Sequence, residues 1–290
     1  MLVTPDWLEA NLDDPALAIV DLRWREDGSG RARYEAGHIP GAVFVDWTSD
    51  IVDPRSDLAF MLAPPDVFAD AMERRGIGDR SLVVAYADDR GSGPHRLWWA
   101  SRVYGHDNVR VLDGGLEKWR AEERPLTTEA AEPAPAVWSP GAGPRIVADV
   151  NDVVAARLDP RAVVLDSRPP EQFRGEVVWF ETGAVPADEQ GVAHTPRGDL
   201  RAGRVPWALS VPSAKLYRPD CTMKSPEELR ALLEPVGVGP GSRVIAYCGV
   251  GISASALLFA LTRAGIEESA LYDASWDEWG RDTSLPIERG

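Results

Sequence analysis

Short apolar runs alternate with longer helix-favouring stretches along the chain. Six runs predict buried strands: Ala18–Leu22, Leu82–Tyr86, Val109–Leu112, Ala162–Asp166, Arg243–Tyr247 and Ala270–Tyr272. Four longer stretches predict helices: Pro65–Arg75, Arg96–Tyr104, Ser225–Pro235 and Ser253–Ala264. This alternation predicts mostly parallel sheets with helices on both faces, and ligands of such sheets bind beyond the carboxyl ends of the strands.

The pattern repeats itself in the second half of the chain. Val83–Ala87 returns as Val244–Cys248, and Asp113–Trp119 returns as Asp273–Trp279, both about 160 residues later. The repeat predicts an α/β protein of two tandem domains, 1–125 and 145–290. Residues 126–144 are rich in Pro and Ala without a helical or strand period, which is typical of a linker. The second half is longer by about 21 residues, so we expect an insertion near 175–200.

Cys248 lies where the strand Arg243–Tyr247 ends and the helix from Ser253 begins. Gly249 and Gly251 allow the intervening backbone to curl so that successive N–H groups point inward. Such a loop at a helix N-terminus favours a thiolate and binds anions. The sequence therefore predicts a thiolate nucleophile at Cys248, against the alternative of a small buried apolar residue.

The first half differs at this position. Ala87 replaces the cysteine and is followed by Asp88, Asp89 and Arg90. Without a sulfur atom, and with two carboxylates where an anion would bind, residues 1–125 are predicted to be non-catalytic.

Composition narrows the classes of partner. The 290 residues carry a net charge of −15, which argues against nucleic acids and anionic membranes as partners. Two cysteines, Cys221 and Cys248, make no disulfide framework, and the N-terminus lacks a signal-peptide pattern, so we expect a cytoplasmic protein. The four histidines show no metal-ligand spacing, and we expect neither a metal nor a cofactor.

Four segments in order carry a family resemblance: Tyr34–Ala42, Val111–Leu116, Cys248–Ser253 and Tyr272–Gly280. With them the chain resembles the two-domain rhodanese family, the thiosulfate and 3-mercaptopyruvate sulfurtransferases. The resemblance implies two tandem rhodanese-like domains and a persulfide on Cys248. It also implies that the loop backbone stabilises this persulfide, at Gly249, Val250, Gly251, Ile252 and Ser253. A small anionic donor would supply the sulfur, and cyanide, a thiol or thioredoxin would accept it.

The resemblance leaves the donor open. The uncharged loop resembles the mercaptopyruvate branch, in which an Arg stands six residues before the Gly-x-x-Pro of the second domain, as Arg197 does here. Arg197, Arg174 and Arg168 are the candidate substrate-binding residues, with a structural pair to Asp166 as the alternative role of Arg168. Val250 stands where that branch has Ser.

Two further residues depart from the branch. Phe60 and Thr48 stand where its assisting His and Asp are expected, and neither side chain can take over that role. The insertion near 175–200 is interpreted either as a lid or as an extension of the surface.

Two other functions are alternatives to a sulfurtransferase. A cysteine phosphatase needs an Arg six residues after its cysteine. Ala254 occupies that position, which argues against a phosphatase. A non-catalytic or slow sulfur-relay module remains as the alternative to the enzyme. Cys221 is interpreted as a loop residue with neither a base nor a glycine loop beside it.

Overall fold

The computed structural model describes residues 1–180 and 183–290 and divides into two compact units. Unit 1 comprises Met1–Arg55, Leu62–Arg145 and Tyr217–Met223. Unit 2 comprises Ser56–Met61, Ile146–Leu216 and Lys224–Gly290. Each half of the chain thus contributes one short segment to the unit formed mainly by the other half. The predicted division at 126–144 stays a prediction, and it did not anticipate these two segments.

Unit 1 is built on a five-stranded parallel sheet of order β1-β5-β4-β2-β3. Its strands are β1 Leu2–Val3, β2 Leu17–Asp21, β3 Val43–Phe44, β4 Leu82–Tyr86 and β5 Val109–Leu112. The central strand β4 pairs in parallel with β2 and β5. Its helices are α1 Pro5–Ala10, α2 Gly30–Glu35, α3 Pro65–Glu73, α4 Gly93–Val103 and α5 Gly115–Ala121.

Unit 2 repeats this sheet with the order β12-β7-β13-β14-β6, again parallel throughout. Its strands are β6 Val147–Ala148, β7 Ala162–Asp166, β12 Ala208–Ser210, β13 Arg243–Tyr247 and β14 Ser269–Tyr272. Its helices are α6 Val150–Ala156, α7 Pro170–Phe173, α8 Pro226–Leu233, α9 Ser253–Ala264 and α10 Ser275–Trp279, with 3₁₀ turns at Ser213–Leu216 and Glu234–Val236.

Unit 2 also contains two antiparallel hairpins that no element of unit 1 matches among the described residues. They are β8 Val177–Phe180 with β9 Gly183–Pro186, and β10 Val192–Thr195 with β11 Gly198–Arg201. Both fall within or beside the predicted insertion at 175–200, of which Glu181 and Thr182 lie outside the described residues.

Apolar packing covers both faces of the sheet in unit 2. Residues Val244 to Tyr247 of β13 are all buried, and eight consecutive residues of α9, from Ala254 to Leu261, are buried as well. A strand that is apolar at every position needs cover on both sides, and helices on both faces give it. The predicted class, two α/β domains each with a parallel sheet flanked by helices, is confirmed. No helix among the described residues is long and apolar enough to span a bilayer.

Candidate active site

Cys248 follows the central strand of unit 2, at the carboxyl end of β13. Helix α9 begins five residues later, at Ser253. The Cys248 side chain is 2% exposed, and Gly249 is the one partly exposed residue between it and Ile252. Solvent therefore reaches the loop at Gly249. The structure places the cysteine where the strand and helix patterns predicted it.

The start of α10 fixes the orientation of the loop. The N–H of Trp276 donates to the carbonyl of Cys248 at 3.0 Å, and the N–H of Asp277 donates to the carbonyl of Gly249 at 2.9 Å. In a trans peptide the carbonyl and the next N–H point to opposite sides. The N–H groups of Gly249 and Val250 therefore point away from α10.

The loop N–H groups remain available to a ligand. In the part of the chain that the structure describes, the N–H groups of Gly249, Val250, Ile252 and Ser253 donate to no protein acceptor. Gly251 has φ +77°, a left-handed conformation that glycine adopts without strain. Unpaired N–H groups around such a turn form an anion-binding concavity.

Ser275 holds the start of the loop. The N–H of Cys248 donates to Ser275 Oγ at 3.1 Å, and Ser275 Oγ donates to the carbonyl of Tyr272 at 2.8 Å. Ser275 is fully buried and has φ +53°. At the far end, Ser253 Oγ lies 3.1 Å from Ser167 Oγ. Sequence reasoning did not single out Ser275, although the repeat aligns it with Gly115, a residue free to take the same φ.

Arg168 is bound within the core. Its guanidinium donates to the Asp166 carboxylate at 2.6–3.0 Å and to the carbonyl of Gly203 at 2.7 Å, and both charged side chains are at most 2% exposed. Burial alone would lower the pKa of Arg168, but attraction to Asp166 outweighs it and raises the pKa. Trp276 covers the guanidinium at 4.5 Å. This geometry favours the structural role over substrate binding.

Arg197 and Arg174 lie apart from each other. Arg197 donates to the carbonyl of Asp57 at 3.3 Å, within the segment Ser56–Met61 that also carries Phe60. Arg174 is exposed and paired with Glu176 at 2.5 Å. That pairing raises the pKa of Arg174.

The two departures noted in the sequence fall in different units. Phe60 packs near Trp179 in unit 2, with ring centroids 6.3 Å apart. Thr48 belongs to unit 1, where its hydroxyl donates to Asp46 at 2.6 Å. Neither position supplies an acid or a base to the loop.

The equivalent loop of unit 1 is occupied by the protein's own charges. Arg25 binds Asp88 at 2.7 and 2.8 Å and Asp89 at 2.6 Å. The N–H of Asp89 donates to the Glu117 carboxylate. Burial raises the pKa of Glu117. Two of these three neighbouring carboxylates share Arg25 as their ion-pair partner and the third accepts an N–H, so we assign no metal to the cluster.

Cys221, interpreted from the sequence as a loop residue with neither a base nor a glycine loop beside it, belongs to the segment Tyr217–Met223. In unit 1 it lines a small cavity together with His95, Gly114, Gly115 and Tyr217. Burial lowers the pKa of His95 to about 3. The segment Tyr217–Met223 is brought there by tertiary contacts, which no local pattern signals.

Comparison with known proteins agrees with this architecture. The family model described as a rhodanese-like domain matches residues 4–122 and 150–282. The chain is 34% identical to the 3-mercaptopyruvate sulfurtransferase of Escherichia coli K12 over 290 residues, covering 99% of this chain and 97% of that protein. It is 34% identical to the sulfur carrier protein TtuD of Thermus thermophilus over 295 residues, covering 100% and 97%.

Further similarities agree with these. A putative thiosulfate sulfurtransferase of Mycolicibacterium smegmatis is 32% identical over 293 residues, with 100% of this chain and 98% of that protein covered. The crystal structure of SseA from Escherichia coli, a 3-mercaptopyruvate sulfurtransferase, superposes with a TM-score of 0.79 at 32% identity, covering 95% of this chain and 98% of SseA. The chain therefore belongs to the two-domain rhodanese family of sulfurtransferases.

Proposed function

We propose that Cys248 carries sulfur as a persulfide between a donor and an acceptor. The Cys248 thiolate attacks the transferable sulfur of the donor, a new S–S bond forms, and the bond from that sulfur to the rest of the donor breaks (S–S in thiosulfate, C–S in 3-mercaptopyruvate). With thiosulfate the leaving group is sulfite. With 3-mercaptopyruvate it is pyruvate, whose methyl carbon takes the thiol proton. An acceptor thiolate or cyanide then removes the outer sulfur and regenerates the thiolate, which is double-displacement catalysis.

One observation carries this proposal: the unpaired N–H groups of the loop that follows Cys248. Gly249, Val250, Ile252 and Ser253 offer N–H donors that no described protein group uses. A persulfide anion on Cys248 would place its negative outer sulfur among them. Fixed dipoles of this kind stabilise developing charge without rearrangement.

The charge of the loop supports one donor over the other. Gly249, Val250, Gly251 and Ile252 carry no cation to hold a dianion, which supports 3-mercaptopyruvate over thiosulfate. The names of the relatives include both substrates. Arg197 is the candidate for the donor carboxylate, because Arg binds carboxylates in a bidentate manner. Arg174 is a weaker candidate, because Glu176 already pairs with it.

The proposal extends to acceptor, compartment and division of labour. The acceptor is a thiol, thioredoxin or, in the test tube, cyanide. Two cysteines, both free, suit the reducing cytoplasm. Residues 145–290 would carry the chemistry and residues 1–125 would be non-catalytic, since carboxylates fill the loop after Ala87.

A slower sulfur relay is the second candidate. Val250 replaces the hydroxyl that the mercaptopyruvate branch has at this position, and TtuD, named as a sulfur carrier, is as similar as the Escherichia coli enzyme. A relay forms the same persulfide but turns over slowly with small acceptors.

The test is intact mass after incubation with each donor. We expect the mass of one sulfur atom on Cys248, removable by cyanide, in the wild type and in Cys221→Ala. Cys248→Ala should take up none. No uptake by the wild type with either donor would overturn the proposal, and fast loading with slow cyanide turnover would select the relay.

A further inference from the structure

An aromatic surface lies against the partly exposed residue of the loop. Trp179 Cε3 stands 3.9 Å from the point where a Cβ on Gly249 would lie. The ring of Phe60 lies 6.3 Å from that of Trp179, tilted by 44°. Since solvent reaches the loop at Gly249, a donor approaching Cys248 passes the ring of Trp179, near which Phe60 packs. We call Phe60 and Trp179 the aromatic wall.

Phe60 is held in an unusual backbone conformation. Its φ is +57°, which bulky side chains adopt only when their surroundings enforce it. The N–H of the preceding Ala59 donates to Asp277 Oδ2 at 2.9 Å. Asp277 is 3% exposed and binds the carbonyl of Gly249 through its own N–H. One residue thus ties both the loop and the segment that carries Phe60.

A closed cycle of hydrogen bonds includes this segment. Arg281 Nε donates to Asp277 Oδ1, and Arg281 Nη1 donates to the carbonyl of Arg197, both at 2.9 Å. Arg197 Nη1 donates to the carbonyl of Asp57 at 3.3 Å. The N–H of Ala59 donates to Asp277 Oδ2, which closes the cycle of hydrogen bonds. The segment that carries Phe60 is therefore fixed before any donor arrives, as selective sites require.

The loop side chains add no charge to this surface. Val250 is 7% and Ile252 9% exposed, and both are aliphatic. Apolar and aromatic linings with a few polar groups bind organic ligands, and aromatic rings prefer a flat partner. An inorganic dianion gains nothing from such a lining.

We propose that the aromatic wall selects organic sulfur donors that carry a flat group one atom beyond the transferred sulfur. This inference rests on the proposed persulfide chemistry. With an organic thiosulfonate, the Cys248 thiolate attacks the terminal sulfur, the bond from that sulfur to the sulfonyl sulfur breaks, and a sulfinate leaves. The total charge is unchanged, because a thiolate and a thiosulfonate become a persulfide anion and a sulfinate.

The test compares benzenethiosulfonate with methanethiosulfonate, which share the reacting group and differ in the ring. Wild type should show the higher kcat/KM with benzenethiosulfonate. Trp179→Ala and Phe60→Leu should lower that ratio at least about fivefold, and Trp179→Phe should retain most of it. Trp7→Ala, which removes an exposed Trp of α1, is the control and should leave the ratio unchanged.

A second measurement needs no variant. Benzenesulfinate should inhibit wild-type turnover more strongly than methanesulfinate, because only the former contacts the wall. Equal inhibition, or a ratio that Trp179→Ala leaves intact while Cys248 still loads sulfur, would overturn the selectivity. Failure of Cys248 to load from any donor would instead overturn the chemistry on which it rests.

Discussion

The backbone N–H of Cys248 donates to the hydroxyl of Ser275 at 3.1 Å, across 27 residues of sequence. Because Ser275 begins α10, whose next two N–H groups bind the carbonyls of Cys248 and Gly249, three hydrogen bonds from one turn set the geometry of the loop. The loop therefore depends on α10 as much as on its own glycines.

Replacing Ser275 by Gly removes the hydroxyl without straining the φ of +53°. The buried N–H of Cys248 then loses its acceptor, which costs about 2 kcal/mol. We expect a lower free energy of unfolding in urea and slower persulfide formation by mass spectrometry. Ser269→Ala removes another buried hydroxyl, which donates to Ile266, and should lower stability alone. Equal loading rates in both variants would contradict the role of Ser275.

Replacing Arg168 by Met leaves the Asp166 carboxylate buried without its cation. Loss of one partner of a buried pair costs about 3 kcal/mol or more, so the urea midpoint should fall clearly. Arg174→Met, at an exposed pair, should change the free energy of unfolding by less than about 0.5 kcal/mol. An unchanged midpoint for Arg168→Met together with a raised KM would reassign Arg168 to substrate binding.

His95 makes the stability of unit 1 depend on pH. Burial lowers its folded-state pKa to about 3, whereas an unfolded histidine titrates at about 6.5. As pH falls below about 6.5, His95 binds a proton in the unfolded chain but stays neutral in the folded chain until pH is near 3. The free energy of unfolding therefore decreases over this range. His95→Asn should flatten this dependence in urea titrations at several pH values.

His194 provides the control of opposite sign. Its hydrogen bond to Asp199 raises the His194 pKa. The folded state then holds the proton more tightly, so its stabilisation is present below about 6.5 and is lost as pH rises through the folded pKa. His194→Asn should therefore lose stability only on the acidic side. The same slope change in both variants would contradict these assignments.

Replacing Ala87 by Cys in a Cys248→Ala background tests whether a thiol alone makes a site. We expect no persulfide at the new thiol, because Glu117 caps the N–H of Asp89 and Asp88 lies beside it. Sulfur uptake, measured as intact mass after incubation with donor, would show that the loop of unit 1 can also support a persulfide.

Local patterns predicted the sheets well. The bounds of β4, β5, β7 and β13 agree with the predicted runs residue for residue, because each is a short run of mostly apolar residues. Helix α4 begins at Gly93, three residues before the predicted Arg96. Its first turn contains glycine and proline, which a propensity argument places outside a helix although Pro suits a first turn.

Only the part of the candidate site that is continuous in sequence could be predicted. Cys248 and its glycines form one continuous stretch, so the strand, the turn and the helix indicated them. Ala59 meets Asp277 across 218 residues, and Trp179 meets Gly249 from a hairpin without a counterpart in the repeat. No periodicity encodes contacts of that separation.

The segments Ser56–Met61 and Tyr217–Met223 prevent a clean division of the chain at the boundary of the repeat. A fragment that ends at residue 125 keeps Phe60, which unit 2 uses, and lacks the seven residues after Leu216 that unit 1 uses. The complementary fragment has the reverse deficit. Neither half of the repeat therefore contains every segment of its own unit, and cutting the chain between them would leave two incomplete units.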